Sequence, residues 1–517
     1  MAKQHVIFLA AENGALQGGQ VGGVGDVMRD LPAALAGAGW QATVVTPSYG
    51  MFHKLPGARH VGSVDVAFNG ETAAVDVFEA VGLHDEVRNV VFEHSLFSPQ
   101  GPGRIYCDDE PARPFATDAS KFAFFAAAAA TWIEQLEELP QVVHLHDWHA
   151  ATYPVLSHFD ARFEGLRGIR TVFTIHNLSY QGIRPISDDP SSLETWFPEL
   201  RYTHSSIRDP HLAHCYNPMA AAIRLADKVS TVSPTYASEI CRQSNHDMGF
   251  IGGEGLEAEL ANALEAGRLV GILNGCVYKR PGGRRPGWQR ILNLATEQVD
   301  AWLRNYPASR FHAIAKARLE TLPRRRPRHV LTSVGRLVRQ KASLMLEPLH
   351  DGRPALEHVL EEIGRQGVLI LLGSGEAEYE NRMAHIAERA DNLLFLCGYS
   401  ATLADPLYRS GDLFLMPSSF EPCGISQMLA MRAAQPCVVH GVGGLRDTVE
   451  DERSGFVFQG GTPQEQAANF VAAVRRALAV KTGDNDRWQG ICIRAASQRF
   501  TWAEAARLTT EKLYVDA

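Results

Sequence analysis

The amino-acid sequence predicts two successive α/β domains, each a doubly wound sheet of parallel strands, and three observations support this. The chain has 517 residues, more than one hydrophobic core ordinarily holds. Short runs rich in valine, isoleucine and leucine recur without polar alternation, the pattern of strands covered on both faces by helices. These runs fall into two series, separated by a stretch of proline, glycine and arginine.

In the first series the runs are HVIFLA from residue 5, ATVVTP from 42, QVVHLH from 141, RTVFTIH from 170, KVSTVS from 228 and LVGIL from 269. In the second they are HVLTSVG from 329, GVLILLG from 367, NLLFLCG from 392, DLFLMP from 412 and PCVVHG from 436. Most are followed by glycine, asparagine or histidine and then a helical pattern. Between the series, KRPGGRRPGWQR opens and PRRRPR closes residues 279–328, around a helical segment over 296–319. That composition reads as a solvated hinge rather than an anion site. The expected divisions are 1–278, the linker 279–328, 329–500, and an amphipathic terminal helix in 501–517 that fits either domain.

Composition limits the function. A 45% hydrophobic and 21% charged chain is globular, and a net charge of −8 is a poor match for a nucleic-acid partner. No apolar run reaches membrane length, since even FAFFAAAAATWI ends at Glu134. MAKQHVIFLAAENG has no small-residue cleavage pattern and reads as a first strand, not a signal peptide. Eight cysteines without C-x-x-C spacing support neither a zinc ribbon nor a disulfide framework, so a reducing, cytoplasmic setting is expected.

In doubly wound folds ligands gather beyond the carboxyl ends of the strands, and the informative residues cluster there. GGQVGGVGDV, residues 18–27, leads into a helix over 27–36. Its glycines either let backbone amides approach a diphosphate or shape a packing turn. HLHDWHA puts His144 and His146 on one side of a strand, a pair that a metal would use. No second histidine cluster follows, and Trp148 beside Asp147 better suits a sugar platform, with no metal expected. His176 in TIHNLSYQG is either a structural hydrogen-bonder or a catalyst.

In the second series, SVGRLVRQK carries Arg336 and Lys341. Two cations there would stabilise a leaving diphosphate, although surface cations are usually only solvated. SSFEPCGISQ places Glu421 before Cys423 and Gly424 at a helix start, suited to sugar hydroxyls. VGGLRDTV repeats the design with Gly443 and Gly444.

Taken in order, HLHDWHA, TIHNLSYQG, STVSPTYASEI, GILNG, GRLVRQK, SSFEPCG and GGLRDTV resemble segments of the bacterial glycogen synthase and plant starch synthase family of retaining glycosyltransferases. The similarity runs from about residue 5 to 510. It implies the GT-B fold, two Rossmann-like domains facing across a cleft that closes on a nucleotide sugar. It implies donor contacts from Gly22, Gly23, Asp26, Asn274, Cys423, Gly424, Gly443 and Gly444, with Tyr399 stacked on the base. His176, Arg336, Lys341 and Glu421 would be catalytic, and Tyr106, Asp147 and Trp148 would meet the acceptor. The implied reaction moves glucose from ADP-glucose or UDP-glucose to the non-reducing end of an α-1,4-glucan without a cofactor. A small sugar or polyol acceptor, and a weakly active glucan-binding homologue, are the alternatives.

Three positions depart from the family pattern. Gln20 stands where the K-T-G-G-L loop has its lysine. Asn274 is followed by Gly275, Cys276, Val277 and Tyr278 instead of the family's N-G-V-D. Leu429 stands eight residues past Glu421, where many related transferases have a second glutamate; starch and glycogen synthases commonly lack it too.

Overall fold

The computed structural model describes residues 4–278 and 285–515. The chain divides into two compact units. The first comprises Met1–Ser244, Gly252–Gly275 and Thr501–Ala517, the second Asn245–Ile251 and Cys276–Phe500.

The first unit is built on β1 (His5–Leu9), β2 (Gln41–Pro47), β3 (Arg59–Phe68), β4 (Glu71–Ala80), β5 (Val87–Glu93), β6 (Val142–His146), β7 (Arg170–Ile175), the short pair β8 (Arg184–Pro185) and β9 (Cys215–Tyr216), β10 (Lys228–Thr231) and β11 (Leu269–Gly271). Nine of these form one sheet in the order β11-β10-β7-β6-β1-β2-β5-β4-β3. It is parallel except around β4, which runs antiparallel to β3 and β5. The apolar runs give the central strands, in which Val6 to Leu9 and Val142 to His146 are buried. β3 and β4 have no such run. Their alternation of buried and exposed residues marks a half-solvated margin, the pattern of an antiparallel sheet face. FAFFAAAAATWI lies in the helix Ala116–Glu134, apolar on nearly every side because it is buried within the unit.

The second unit has β12 (His329–Val334), β13 (Gly367–Gly373), β14 (Leu393–Cys397), β15 (Leu413–Met416), β16 (Cys437–His440) and β17 (Phe456–Phe458). They form one sheet, β14-β13-β12-β15-β16-β17, parallel at every pairing. Most of the stretch read as a hinge is instead part of this core. Trp288–Asn305 and Arg310–Thr321 are helices, broken at Pro307, and they bury Trp288, Ile291, Leu292, Val299 and Ala315 against Val330, Ile370 and Leu394. Arg290, Arg304 and Arg310 on these helices are exposed while Arg318 is buried, bonded to Asp391 and Ala387 O; the arginine runs that suggested a linker flank the helices. The opening of the expected linker, residues 279–284, lies outside the described residues.

The terminal segment belongs to the first unit. Trp502–Thr509 is a helix continued by a π turn, Thr510–Tyr514. Tyr514 sends its hydroxyl to His144 Nδ1 at 2.7 Å and sets its ring edge-on to Trp40. The chain passes between units four times, and two of these crossings, after Gly275 and after Phe500, are tied together. Cys276 N–H donates to Phe500 O at 2.6 Å, and Phe500 N–H donates to the Tyr278 hydroxyl at 3.0 Å. Arg499 lies over the Tyr278 ring, and Arg432 donates to Val277 O. The unusual Cys276-Val277-Tyr278 sequence is therefore a strut at the crossings.

Candidate active site

Each sheet has one place where the strand order reverses direction, and there adjacent connections leave to opposite faces and open a crevice. In the first unit it lies between β1 and β6, in the second between β12 and β15. The loops leaving these four strands carry Glu12, His146–Asp147, Arg336–Lys341 and Ser418–Glu421.

In the first unit the glycine-rich loop is already capped from within. The helix after β1 begins at Gly23, earlier than the sequence suggested, so the glycines form its first turn. The buried Glu12 carboxylate accepts the N–H groups of Val21, Gly22 and Gly25 through Oε2, at 2.8, 2.7 and 3.2 Å. Its other oxygen accepts the Tyr106 hydroxyl at 2.8 Å. Hydrogen bonds to a charged group contribute about 1.5–3 kcal/mol each, so this cap is a strong organising contact. It also means that the helix amides expected to cradle a diphosphate are held by an internal carboxylate. Gly23 has open space where a Cβ would stand, while a Cβ on Gly25 would crowd Gln20 and Glu12. Asp26 is paired with Arg29 at 2.9 Å and hydrogen-bonded by Gln20. Burial nonetheless raises its carboxyl pKa.

Tyr106 is pinned on both flanks. Lys121, fully buried, donates to Ile105 O at 2.6 Å, and Asp118 accepts Cys107 N–H at 3.1 Å. Lys121 and Asp118 are themselves 2.6 Å apart, which satisfies the buried charge.

The residues at the carboxyl ends of β6 and β7 form a chain of imidazoles. His144 bonds the Tyr514 hydroxyl and, through Nε2, Thr174 Oγ1 at 2.6 Å. His146 Nδ1 lies 2.8 Å from His176 Nε2. His144 and His146 do lie on one side of β6, with ring centroids 4.4 Å apart. Among the described residues, no group of three or more His, Cys, Asp or Glu is placed to hold a metal ion. Burial lowers the His144 and His176 pKa values to about 3, so both are neutral imidazoles near pH 7. Asp147 takes a left-handed backbone, φ 54°, and its Oδ1 accepts His176 N–H at 2.7 Å. Burial pushes its carboxyl up to about 7 despite that bond and a second from Asn177.

The reading of Trp148 as a sugar platform is corrected. The ring is 5% exposed, set edge-on to Phe115 and Phe122, and Gly182 packs so close that any Cβ there would strike it. A ring covered this way cannot stack on a sugar. Asp147 likewise orients the His176 loop. Asn274, past β11, lines a small cavity with His146, Ser230 and Trp502, with room for about one water.

In the second unit the key groups come together. Lys341 Nζ lies 2.9 Å from Glu421 Oε2, which also accepts the Ser418 hydroxyl at 2.9 Å. Gln340 fixes the same loop, donating to Phe420 O at 3.0 Å and accepting Ser419 N–H at 2.8 Å. Gly443 takes φ 41°, and a Cβ there would stand 2.0 Å from Glu421 O. Gly444 N–H donates to that carbonyl at 3.1 Å, and a Cβ on Gly444 would collide with Cys423. These two glycines therefore serve close packing under Glu421. Gly424 is left-handed at φ 76° beside the buried Cys423. Arg336 is exposed at the mouth of a cavity lined with Gly335, Lys341 and Ser418. Tyr399, 83% exposed, has a ring open to solvent.

Sequence reasoning missed Glu12, His146 as the partner of His176, and Ser418. Glu12 had a usable signal: a carboxylate just past the first strand and ahead of a glycine-rich helix start.

Fold and site together define a glycosyltransferase with two nucleotide-binding-type units. Residues 5–262 match the family model described as the starch synthase catalytic domain, and 328–479 match glycosyl transferases group 1. The chain is 32% identical to a protein named glycogen synthase from Streptococcus sanguinis strain SK36, over 97% of this chain and 98% of that one. It is 33% identical to one of the same name from Anaeromyxobacter sp. strain Fw109-5, over 98% of each. Among solved structures it is similar to the catalytic domain of starch synthase IV from Arabidopsis thaliana, bound to ADP and acarbose. There the TM-score is 0.74 and the identity 26%, over 99% of each chain. The chain belongs to the glycogen and starch synthase family, with the GT-B fold.

Proposed function

We propose that this enzyme transfers glucose from ADP-glucose, or from UDP-glucose, to the non-reducing end of an α-1,4-glucan with retention of configuration, in the cytoplasm and without a metal or cofactor. The observation that carries the reading is the Lys341–Glu421 pair beside Arg336 at the second switch point. An ammonium has three donors, and Glu421 uses one, which leaves Lys341 suited to donor phosphates as well. Arg336 supplies a fork for phosphate oxygens and Glu421 accepts glucose hydroxyls.

In this mechanism the bond from the glucose anomeric carbon to the diphosphate breaks as the acceptor oxygen bonds to that carbon on the same face. The acceptor proton passes to the leaving phosphate. Lys341 and Arg336 stabilise the charge that grows on the diphosphate, and neutral His176 hydrogen-bonds the sugar. Tyr399 stacks on the base, which suits adenine or uracil; ADP in the starch synthase structure favours adenine. Tyr106, held by Glu12, touches the acceptor together with the loop that Asp147 orders. Gly22, Gly23, Asp26 and Asn274 border the donor sugar.

The test is incubation of the purified protein with labelled ADP-glucose or UDP-glucose and glycogen, maltose or a panel of polyols. Label in glycogen supports the reading. Label confined to a small product points to a different acceptor, and glycogen binding without transfer to a weakly active homologue.

A further inference from the structure

The arginine-rich stretch plays no part in the chemistry above, yet its two ends meet. Arg285 and Arg326 each donate to Ser410 O, at 3.0 and 3.2 Å, and Arg285 also reaches Gly411 O. Arg326 Nη2 lies 2.8 Å from Asp412 Oδ1, and Arg285 Nη2 3.8 Å from the same atom. Lys481, from the helix Pro463–Gly483, lies 3.1 Å from Asp412 Oδ2. Three cations from three chain segments thus converge on one carboxylate, which also accepts Val330 N–H.

Capping the end of the helix Ala401–Ser410 does not account for this. One cation suffices to complement the last carbonyls of a helix, whereas two guanidiniums on one carbonyl oxygen repel each other. Burial, with a smaller part from neighbouring cations, lowers the pKa of Arg285 and of Lys481 against the pull of Asp412. The nearby His329 adds no positive charge and Cys492 no negative charge, since burial holds the imidazole at about 4 and the thiol at about 11. The cluster keeps an excess of two positive charges, partly open to solvent through Arg285 and Arg326.

We propose that this cluster binds a small phosphate-bearing ligand, with the two guanidinium forks on its oxygens and Lys481 as a third charge. The site lies at the amino ends of β12 and β15, whereas Arg336, Lys341 and Glu421 follow their carboxyl ends. The six residues of β12 separate the two places by roughly 20 Å. It is therefore a second anion site, independent of the donor.

The test is calorimetric titration of the full chain carrying Lys341→Ala, which removes the donor clamp. The probes are inorganic phosphate and, as a phosphomonoester, glucose 6-phosphate, in chloride buffer at constant ionic strength. One site is expected to remain. Arg285→Gln combined with Arg326→Gln should weaken it about tenfold or more, as loss of charged hydrogen bonds implies. Asp412→Asn, which removes the competing negative charge, should tighten it. Arg285→Gln alone changes an exposed side chain and should give part of the loss with an unchanged melting temperature in chloride. The probe that binds tighter identifies the ligand's source. Undiminished phosphate binding in Arg285→Gln and in the double variant, or no binding of either probe once Lys341 is gone, would overturn the proposal.

Discussion

At the first unit's switch point the polar groups are bonded to one another; at the second unit's, Lys341 is held by one ionic contact while Arg336 and Tyr399 face solvent. Glu12 is spent on three amides and a tyrosine, Asp147 on the amides of the His176 loop, and His144 on two hydroxyls. In the other unit Arg336 and Tyr399 are exposed, and among the described residues the Lys341 ammonium hydrogen-bonds only to Glu421. The same architecture thus serves two purposes. One unit presents a mostly neutral surface shaped by internal bonds, and the other presents charge that a ligand can still engage.

The largest effect that would break this contrast belongs to the charged unit. Lys341→Ala should lower kcat by about 10²–10³-fold while glycogen binding is retained, the range seen when one group stabilising transition-state charge is lost. Steady-state kinetics with a glycogen pull-down check it, and undiminished turnover would remove the clamp from the mechanism.

In the neutral unit the expected effect is smaller. His146→Phe removes the partner of His176 and should cost about tenfold in kcat, the worth of one neutral hydrogen bond, with little change in KM for glycogen. His146→Asn, whose amide can stand near the lost Nδ1, should recover part of it. Equal losses in the two variants would show that the imidazole only fills space.

Acid should separate the units by stability. His5, His94, His144, His146, His149 and His176 in the first unit all have lowered pKa values, against His329 and His440 in the second, burial being the main cause throughout. Below about 6.5 the unfolded chain binds protons on these histidines that the native chain refuses, so stability falls as pH drops toward 4. Asp147, raised to about 7 from 3.8, and Asp26, also raised by burial, act in the opposite direction, but as two carboxyls against six histidines of their own unit. Segment-resolved hydrogen exchange at pH 5 should show the first unit opening before the second. The reverse order would contradict this assignment of burial.

The smallest change concerns Gln20. Gln20→Lys should tighten donor binding by up to about fivefold, since the position is exposed and Asp26 would share the new charge. An unaltered donor affinity would mean that the side chain does not reach the phosphates.

Much of the fold was legible in the sequence because its central strands are doubly covered and so read as unbroken apolar runs. β3, β4, β5, β17 and the short pair β8 and β9 escaped that reading. β3 and β4 alternate between core and solvent, Arg88 and Asn89 interrupt the apolar run of β5, β17 is three residues long, and β8 and β9 have two each. The helices Trp288–Asn305 and Arg310–Thr321 were obscured by arginines at their borders. At the site, Lys341 and Glu421 were legible only as charged residues, each at a separate strand end; that they touch depends on the adjacency of β12 and β15, which sequence order does not reveal. Trp148 was misjudged for a related reason. Its covers, Phe115, Phe122 and Gly182, lie in other segments, and no local pattern distinguishes a buried tryptophan from a sugar platform.

The segment that ends at Tyr514 has a bearing on how the protein is made. Tyr514 completes the hydrogen bonding of His144, 370 positions earlier, and Trp502, Thr509 and Leu513 close the cavity beside His146 and Asn274. During synthesis the first unit must wait, its sheet uncovered at this spot, until the whole second unit has left the ribosome. The unit made first is thus the one finished last.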